Sequence, residues 1–208
     1  NASGWSTNSG SWSVVSDGSY TYKQSSTSST CYTSSGSTSW TNYSIEAKVK
    51  PLSFNGTSKN VGVCARFQST SNFYAEILSN DNKLEIIKKV GGGNTSLVSK
   101  SFTVQTGTWY QIKLSVNGNS LVCSVNGVDE LTTTDSSFTT GKIGFTMSNV
   151  SAEFDDVTVA DSTTTTASNT GTTTQIVSTT PVTITSVPSI QPKDGDIYVA
   201  PDGLDSNS

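Results

Sequence analysis

The amino-acid sequence predicts an all-β fold, an antiparallel β-sandwich. First, apolar and polar residues alternate in many short runs; between residues 43 and 49, for example, every second residue is apolar or aromatic. Because side chains alternate between the two faces of a strand, this pattern is typical of half-buried strands. Second, Asn117-Gly118 and Asn126-Gly127 each join two such runs, and Asn-Gly is a strong hairpin signal. Third, no stretch has a persuasive helical spacing of apolar residues.

The individual strands are predicted in order along residues 1–160. Short runs around Trp5, Trp12 and Tyr20 are divided by Gly and Ser, with a hairpin turn at Asp17-Gly18. Residues 25–39 are nearly all Ser, Thr and Gly, and form either a long loop or a poorly patterned strand. Further strands are predicted at residues 40–50, 61–68, 73–78, 84–90, 97–104, 110–116, 121–125, 139–147 and 152–160. Roughly ten or more short strands with polar turns favour a sandwich, in which Trp5, Trp12 and Trp40 are expected to pack.

The composition of the chain excludes some classes of partner. Of the 208 residues, 13% are charged, below the usual share of about a quarter, while Ser, Thr, Asn and Gly are abundant. The formal net charge is −4 and no basic tract occurs, so we expect no nucleic-acid binding. No apolar run approaches the roughly 20 residues of a membrane span, and no signal peptide is visible. We expect a secreted, extracellular monomer without a membrane anchor.

Histidine and cysteine usage limits the possible chemistry. The sequence has no histidine, which excludes Ser-His-Asp and Cys-His catalysis and histidine-ligated zinc within this chain. Its three cysteines are an odd number, so at least one thiol is free or pairs outside the chain. A Cys31–Cys64 bridge is one alternative and free thiols are the other. Cys123 is in phase with Leu121 and Val125, which predicts a small buried residue.

The composition changes after residue 160, and this predicts a domain boundary. Residues 161–193 are rich in Ser, Thr and Pro and have too few apolar residues to bury much surface, so we expect an extended linker. Residues 194–208 contain Ile197, Val199 and a turn at Asp202-Gly203, which predict a first strand and turn of a second, truncated domain. Residues 1–160 are the predicted sandwich.

A hairpin from Val61 to Leu78 is the best candidate for a binding face. A register that keeps the apolar residues of both strands on one face pairs Phe67 with Ala75 and places Arg66 opposite Glu76. The second face then also carries Gln68 opposite Tyr74. Such a face either binds a ligand or pairs its own charges.

An ordered series of motifs carries a family resemblance. The motifs are W-T-N-Y-S-I-E-A-K-V, V-G-V-C-A-R-F-Q, F-Y-A-E-I, T-G-T-W-Y-Q-I-K-L, S-V-N-G, T-G-K-I-G-F and F-D-D-V-T-V, and they cover about residues 1–160. The series resembles concanavalin-like and laminin-G-like jelly rolls of secreted bacterial polysaccharide-degrading enzymes, and in particular carbohydrate-binding module family 66. Residues 194–208, D-G-D-I-Y-V-A-P-D-G-L-D-S-N-S, resemble the opening of parallel β-helix enzymes, especially family 9 pectate lyases. The resemblance implies a targeting module with a catalytic domain appended at its C-terminus.

Five residues form the predicted ligand-binding set: Glu46, Arg66, Tyr74, Glu76 and Trp109. Carboxylates and guanidinium groups bind sugar hydroxyls in two-point contacts, Arg pairs with a uronate carboxylate, and aromatic rings contact the C–H patches of sugars. The alternative is that Arg66 and Glu76 satisfy each other on a sheet face.

Three acidic residues form a predicted calcium site. Asp155 and Asp156 are adjacent, and Asp17 is a possible third ligand; Ca²⁺ prefers such oxygen ligands. Many jelly rolls of the resembled kind carry a structural calcium. The alternative is that these carboxylates cap loop amides or pair with lysines.

The concanavalin-like resemblance also raises the question of catalysis. Laminarinase-type hydrolases of that fold carry Glu-x-Asp-x-x-Glu on one strand, with two carboxylates as nucleophile and acid/base. Glu153 and Asp155 match the first two acids, but Thr158 stands at the third position and cannot protonate a leaving group. We therefore expect no catalytic residues in this fragment.

These observations together predict a non-catalytic carbohydrate-binding module. The resemblance implies that it directs an appended pectate lyase to plant cell-wall polysaccharide, namely pectin or homogalacturonan. The expected partners are thus a polysaccharide and the catalytic domain of the same chain. Two alternatives stay open: a structural spacer without glycan binding, and a glycoside hydrolase-like sandwich.

Overall fold

A computed structural model describes residues 4–162, which form two antiparallel seven-stranded sheets. In chain order the strands are β1 (Ser6–Ser9), β2 (Trp12–Asp17), β3 (Ser19–Gln24), β4 (Thr30–Ser35), β5 (Tyr43–Phe54), β6 (Asn60–Ser69), β7 (Asn72–Ser79), β8 (Lys83–Val90), β9 (Gly93–Ser101), β10 (Tyr110–Asn117), β11 (Ser120–Val125), β12 (Val128–Thr134), β13 (Lys142–Ser148) and β14 (Val150–Asp161). Sheet A has the order β1–β4–β13–β6–β7–β8–β9, and sheet B the order β12–β11–β10–β5–β14–β3–β2. The predicted all-β sandwich is confirmed.

The main core lies between the two sheets and is built by the alternating residues. In sheet B, Ile45, Ala47 and Val49 of β5 are fully buried, whereas Glu46 and Lys48 between them face away from sheet A. Trp5, Trp12 and Trp40 pack against this core, as predicted. Each fully buried Val, Leu, Ile or Phe contributes about 1.5–3 kcal/mol to folding. Within residues 4–162, no helix is long and apolar enough to cross a membrane.

The turns follow the sequence signals closely. Gly18 joins β2 to β3, and the two Asn-Gly turns join β10, β11 and β12 into the predicted meander. Asn126 has a φ of 51° and Gly127 a φ of 80°, the left-handed conformations that an Asn-Gly hairpin turn requires. Residues 25–39, for which two alternatives were open, contain strand β4.

The predicted register of the β6–β7 hairpin is wrong. Glu76 pairs with Val63, and Tyr74 pairs with Ala65. The regular pairing breaks between Ala65 and Ser69, where Arg66 adopts a left-handed φ of 48°. This bulge shifts the strand, so that Arg66 and Glu76 do not face each other.

Sheet A is apolar on both faces, which explains why the register could not be read from the pattern. Facing sheet B are side chains such as Val63, Tyr74 and Leu78, which belong to the main core. A second cluster, here the outer cluster, is formed by residues that alternate with these: Tyr32, Cys64, Phe67, Phe73, Ala75, Ile77 and Ile87. Because side chains alternate along a strand, the outer cluster lies on the face of sheet A that points away from sheet B.

The three cysteines are buried and free. Cys31 belongs to the main core and Cys64 to the outer cluster, so the two thiols lie on opposite faces of sheet A. A bridge between them, one of the two alternatives, is therefore not formed. Cys123 is fully buried, as its phase with Leu121 and Val125 predicted.

The predicted linker and the predicted second domain stay untested. Apart from residues 161 and 162, both the linker at 161–193 and the β-helix start at 194–208 lie outside the described residues.

Candidate functional site

Three of the predicted ligand-binding residues lie inside the protein. Arg66, Tyr74 and Glu76 are each at most 1% exposed. The guanidinium of Arg66 donates to the carbonyl of Thr41 through Nε (3.1 Å) and Nη2 (2.9 Å), and to the carbonyl of Phe138 through Nη1 (2.8 Å). Burial lowers the pKa of Arg66. Its side chain thus ties two loops to the bulge of β6, and a ligand has no access to it in this conformation.

Tyr74 fixes the loop between β12 and β13. Its hydroxyl donates to Asp135 Oδ1 (2.7 Å) and accepts from the backbone N–H of Phe138 (3.0 Å). Burial raises the pKa of Tyr74 to about 12. Lys88 donates to the other oxygen of Asp135 at 2.5 Å. Burial opposes the charge of Asp135, but the hydrogen bonds from Lys88, Ser137 and Tyr74 outweigh it and lower the pKa of Asp135.

Glu76 is a buried carboxyl group in the main core. Its polar neighbours are the thiol of Cys123 and the backbone of Lys113, but neither carboxyl oxygen has a partner with hydrogen-bond geometry among the described residues. Burial raises the pKa of Glu76 well above its usual range. Glu76 therefore keeps its proton at pH values where an exposed glutamate has lost it.

The other two predicted ligand residues, Glu46 and Trp109, belong to a different surface. We call it the polar face: the side of sheet B that points away from sheet A, with Glu46, Lys48, Lys50, Trp109, Gln111, Lys113, Glu153 and Asp155. The cross-strand pairs Lys113–Glu46, Gln111–Lys48 and Glu153–Lys50 bring these side chains together from β10, β5 and β14. Lys48 and Lys113 are well exposed, and Trp109 is partly exposed. This surface is accessible to a ligand.

Lys50 is the centre of the polar face. Its ammonium group contacts Asp17, lies 2.7 Å from Glu153 Oε2, and stands 4.8 Å from the centre of the Trp109 ring. Burial would lower the pKa of Lys50, but hydrogen bonds to Asp17 and Glu153 raise it. The hydrogen bond from Lys50 lowers the pKa of Asp17. The indole ring and the two carboxylates are thus held by one ammonium group.

Lys23 adds a second ammonium group to Glu153 at 3.5 Å, and Gln111 donates to Glu46. Lys113 lies 3.8 Å from the same Glu46 carboxylate. Hydrogen-bonding groups with fixed positions around a partly exposed indole can bind sugar hydroxyls and a sugar ring.

The three predicted calcium ligands have other partners. Asp155 accepts from Ser19 Oγ (2.6 Å) and from the backbone N–H of Asp156 (2.9 Å). Asp156 lies 2.6 Å from Lys48, and Asp17 contacts Lys50. In the part of the chain that the structure describes, no three Cys, Asp or Glu side chains form a group that could hold a metal ion. Calcium binding stays a prediction, and these lysine contacts weigh against it.

The partial hydrolase motif lies on the polar face. Between Asp155 and Thr158 strand β14 has a bulge, at which Asp156 has a left-handed φ of 49°. Beyond the bulge Thr158 pairs with Glu46, while Glu153 pairs with Lys50. Glu153 and Asp155 are both buried, and each is bound by the ammonium or hydroxyl groups described above.

The predicted ligand-binding residues did not include Lys50, Glu153 or Lys23. Alternation along β5 would have placed Lys50 with Glu46 and Lys48 on one face. Nothing in the local sequence indicates that β5 and β14 are neighbours, because they are far apart in the chain.

Comparison with known proteins agrees with this architecture. The solved carbohydrate-binding module of family 66 from Bacillus subtilis superposes with a TM-score of 0.68 at 19% identity, over 76% of this chain and 96% of that one. A Bacillus subtilis protein of unknown function with a galectin-like fold gives 0.58 at 14% identity, over 76% and 89%. The glycoside hydrolase family 43 protein BlXynB from Bacillus licheniformis gives 0.57 at 17% identity, over 76% and 37%. The chain therefore has the jelly-roll sandwich fold of carbohydrate-binding modules.

A family model assigns the chain more closely. The model of the 3-keto-alpha-glucoside-1,2-lyase-like domain matches residues 1–160. The chain belongs to this family. No curated protein sequence matches the chain.

Proposed function

We propose that residues 1–160 are a glycan-binding module that holds its ligand on the polar face. The observation that carries the proposal is the partly exposed indole of Trp109, fixed by Lys50 among hydrogen-bonding side chains on an open sheet surface. Sugars bind to such surfaces through an aromatic ring and several polar groups with fixed positions. The jelly-roll fold of carbohydrate-binding modules supports the same conclusion.

We propose that the module is secreted, has no catalytic activity of its own, and directs an appended lyase to pectin or homogalacturonan by raising the local substrate concentration. This part rests on the sequence motifs of residues 194–208 and on Thr158 at the position of a third acid.

Replacing Trp109 tests the polar face. We expect Trp109→Ala to weaken glycan binding at least about tenfold, because aromatic residues at the centre of a binding site typically contribute about 2 kcal/mol or more. Affinity gel electrophoresis on homogalacturonan, xylan, arabinan, galactan and levan measures it, with thermal unfolding as a check on folding. Tyr20→Ala is the control, since Tyr20 is an exposed aromatic residue on the opposite side of β3 from Lys23.

Two negative results of this experiment would have different meanings, one for glycan binding and one for its location on the polar face. If none of these polysaccharides retains the native chain, the proposal of glycan binding is overturned. Equal retention of the native chain and the Trp109→Ala variant would leave glycan binding in place and remove the polar face as its site.

A structural spacer is the second candidate, and one observation favours it. The carboxylates of the polar face are already paired with lysines, as Lys50 with Glu153 and Lys48 with Asp156 show. A spacer would show no retention on any glycan and would still stabilise an attached domain.

A further inference from the structure

Lys89 differs in its environment from most lysines of the protein. Lys23, Lys48, Lys50, Lys88, Lys100 and Lys113 each lie within ion-pair distance of an Asp or Glu. Lys89 has no such partner among residues 4–162. Its ammonium group instead donates to Tyr32 Oη at 2.6 Å and lies 5.1 Å and 5.8 Å from the ring centres of Tyr32 and Phe73. Lys89 is thus a partly exposed cation at the outer cluster, and no residue of the described part of the chain is its counter-ion.

We propose that Lys89 and Tyr32 form a subsite for the carboxylate of an acidic sugar on the outward-facing side of sheet A. The proposal extends the proposed function to a second surface and rests on it for the class of ligand. Neither residue belongs to the polar face, so the two surfaces are tested by different variants.

The hydrogen-bond geometry of the pair fits a carboxylate. Because Lys89 donates to Tyr32 Oη, the hydroxyl hydrogen of Tyr32 points elsewhere, and it has no acceptor in the described structure. The ammonium group keeps two further N–H donors. Two donor atoms 2.6 Å apart have a spacing similar to that of the two oxygens of one carboxylate, so both oxygens can accept at once.

The charges around the pair favour an anion. On the outward-facing side of sheet A, Lys83 and Lys142 add positive charge, Lys142 being opposite Phe67 of the outer cluster. Along the described strands of that side the acidic residue is Glu85, whose Oε1 accepts from Ser96 at 2.8 Å. The polar face, by contrast, carries at least as many carboxylates as lysines. The outward-facing side of sheet A is therefore a second surface, besides the polar face, to which the carboxylates of an acidic glycan can bind.

Calorimetric titration of the full chain with oligogalacturonate tests the subsite. We expect Lys89→Met to weaken binding about tenfold or more, since a hydrogen bond to a charged group is lost. Tyr32→Phe should weaken it a few-fold, because one donor is lost and the ring is kept. Lys59→Met, at another lysine that has no ion-pair partner within residues 4–162, should bind like the native chain, and thermal unfolding checks the fold of each variant.

A comparison of ligands on the native chain needs no variant. Methyl-esterified oligogalacturonate lacks the charge and should bind about tenfold more weakly than the free acid. Sulfated galactan distinguishes the other source of an oxyanion: tighter binding of the sulfated chain than of oligogalacturonate would overturn the assignment to a carboxylate. Equal binding of the free acid and the ester, or equal binding by the native chain and Lys89→Met, would overturn the subsite. If the subsite is overturned but neutral glycans still retain the native chain and not the Trp109→Ala variant, the proposed function stands.

Discussion

Replacing Arg66 with methionine should lower the free energy of unfolding by about 2–6 kcal/mol, because each of two carbonyls left without a hydrogen-bond donor costs about 1–3 kcal/mol. Arg66 is 1% exposed, and its guanidinium makes three hydrogen bonds to the carbonyls of Thr41 and Phe138. Methionine fills much of the same space but leaves both carbonyls without their donors. Such a loss is a large share of the roughly 5–15 kcal/mol by which a domain is stable.

Urea unfolding monitored by tryptophan fluorescence measures this loss. Lys113→Met is the matched control, since Lys113 is well exposed and lies 3.8 Å from Glu46; its effect should be within about 1 kcal/mol. Arg66→Lys should fall between the two, because lysine keeps the charge but cannot reproduce the two-point contact with Thr41. A change below 1 kcal/mol for Arg66→Met would show that the loops are held by other contacts.

Replacing Glu76 with glutamine should stabilise the protein at pH 7–8 and flatten its pH dependence. Burial raises the pKa of Glu76 in the folded state, whereas in the unfolded chain this carboxyl loses its proton near pH 4.5. The stability that the wild type has below pH 4.5 is therefore lost as the pH rises toward the folded pKa. The slope is about 1.4 kcal/mol per pH unit. Glutamine does not titrate, so the variant has no such slope.

Urea titrations at pH 4, 6 and 8 give the two stability profiles. Near pH 4 the variant should equal the wild type or be slightly less stable, because both carry a neutral buried group. Glu85→Gln, at a partly exposed carboxylate, is the control for the loss of one negative charge. Parallel profiles for the wild type and Glu76→Gln would mean that Glu76 is ionised in the folded protein.

The fold could be predicted from the sequence where the signals were local. An Asn-Gly pair forms its turn from its own two residues, so the meander of β10, β11 and β12 followed directly. The register of β6 and β7 could not be predicted in this way. The bulge at Arg66 depends on a hydrogen bond from its backbone N–H to the hydroxyl of Tyr43 at 2.6 Å, and Tyr43 is on another strand.

Of the predicted ligand-binding residues, only Glu46 and Trp109 lie on an exposed surface, for a related reason. Charged residues in an alternating strand are expected to face solvent, and this is true of Glu46. Arg66 and Glu76 break the rule. The carbonyls that satisfy Arg66 come from loops that are distant in the sequence, and Glu76 is buried without a hydrogen-bond partner among the described residues. Likewise, Lys50 becomes a site residue because β14 and the end of β2 bring the carboxylates of Glu153 and Asp17 to it.

The buried thiols allow local opening of the two apolar clusters to be measured by chemical labelling. Cys123 lies between the sheets, whereas Cys64 lies on the other side of sheet A within the outer cluster. A thiol reagent reaches Cys64 once the outer cluster opens, but it reaches Cys123 only when the two sheets separate. The ratio of their labelling rates under native conditions therefore measures how independently the outer cluster and the main core open.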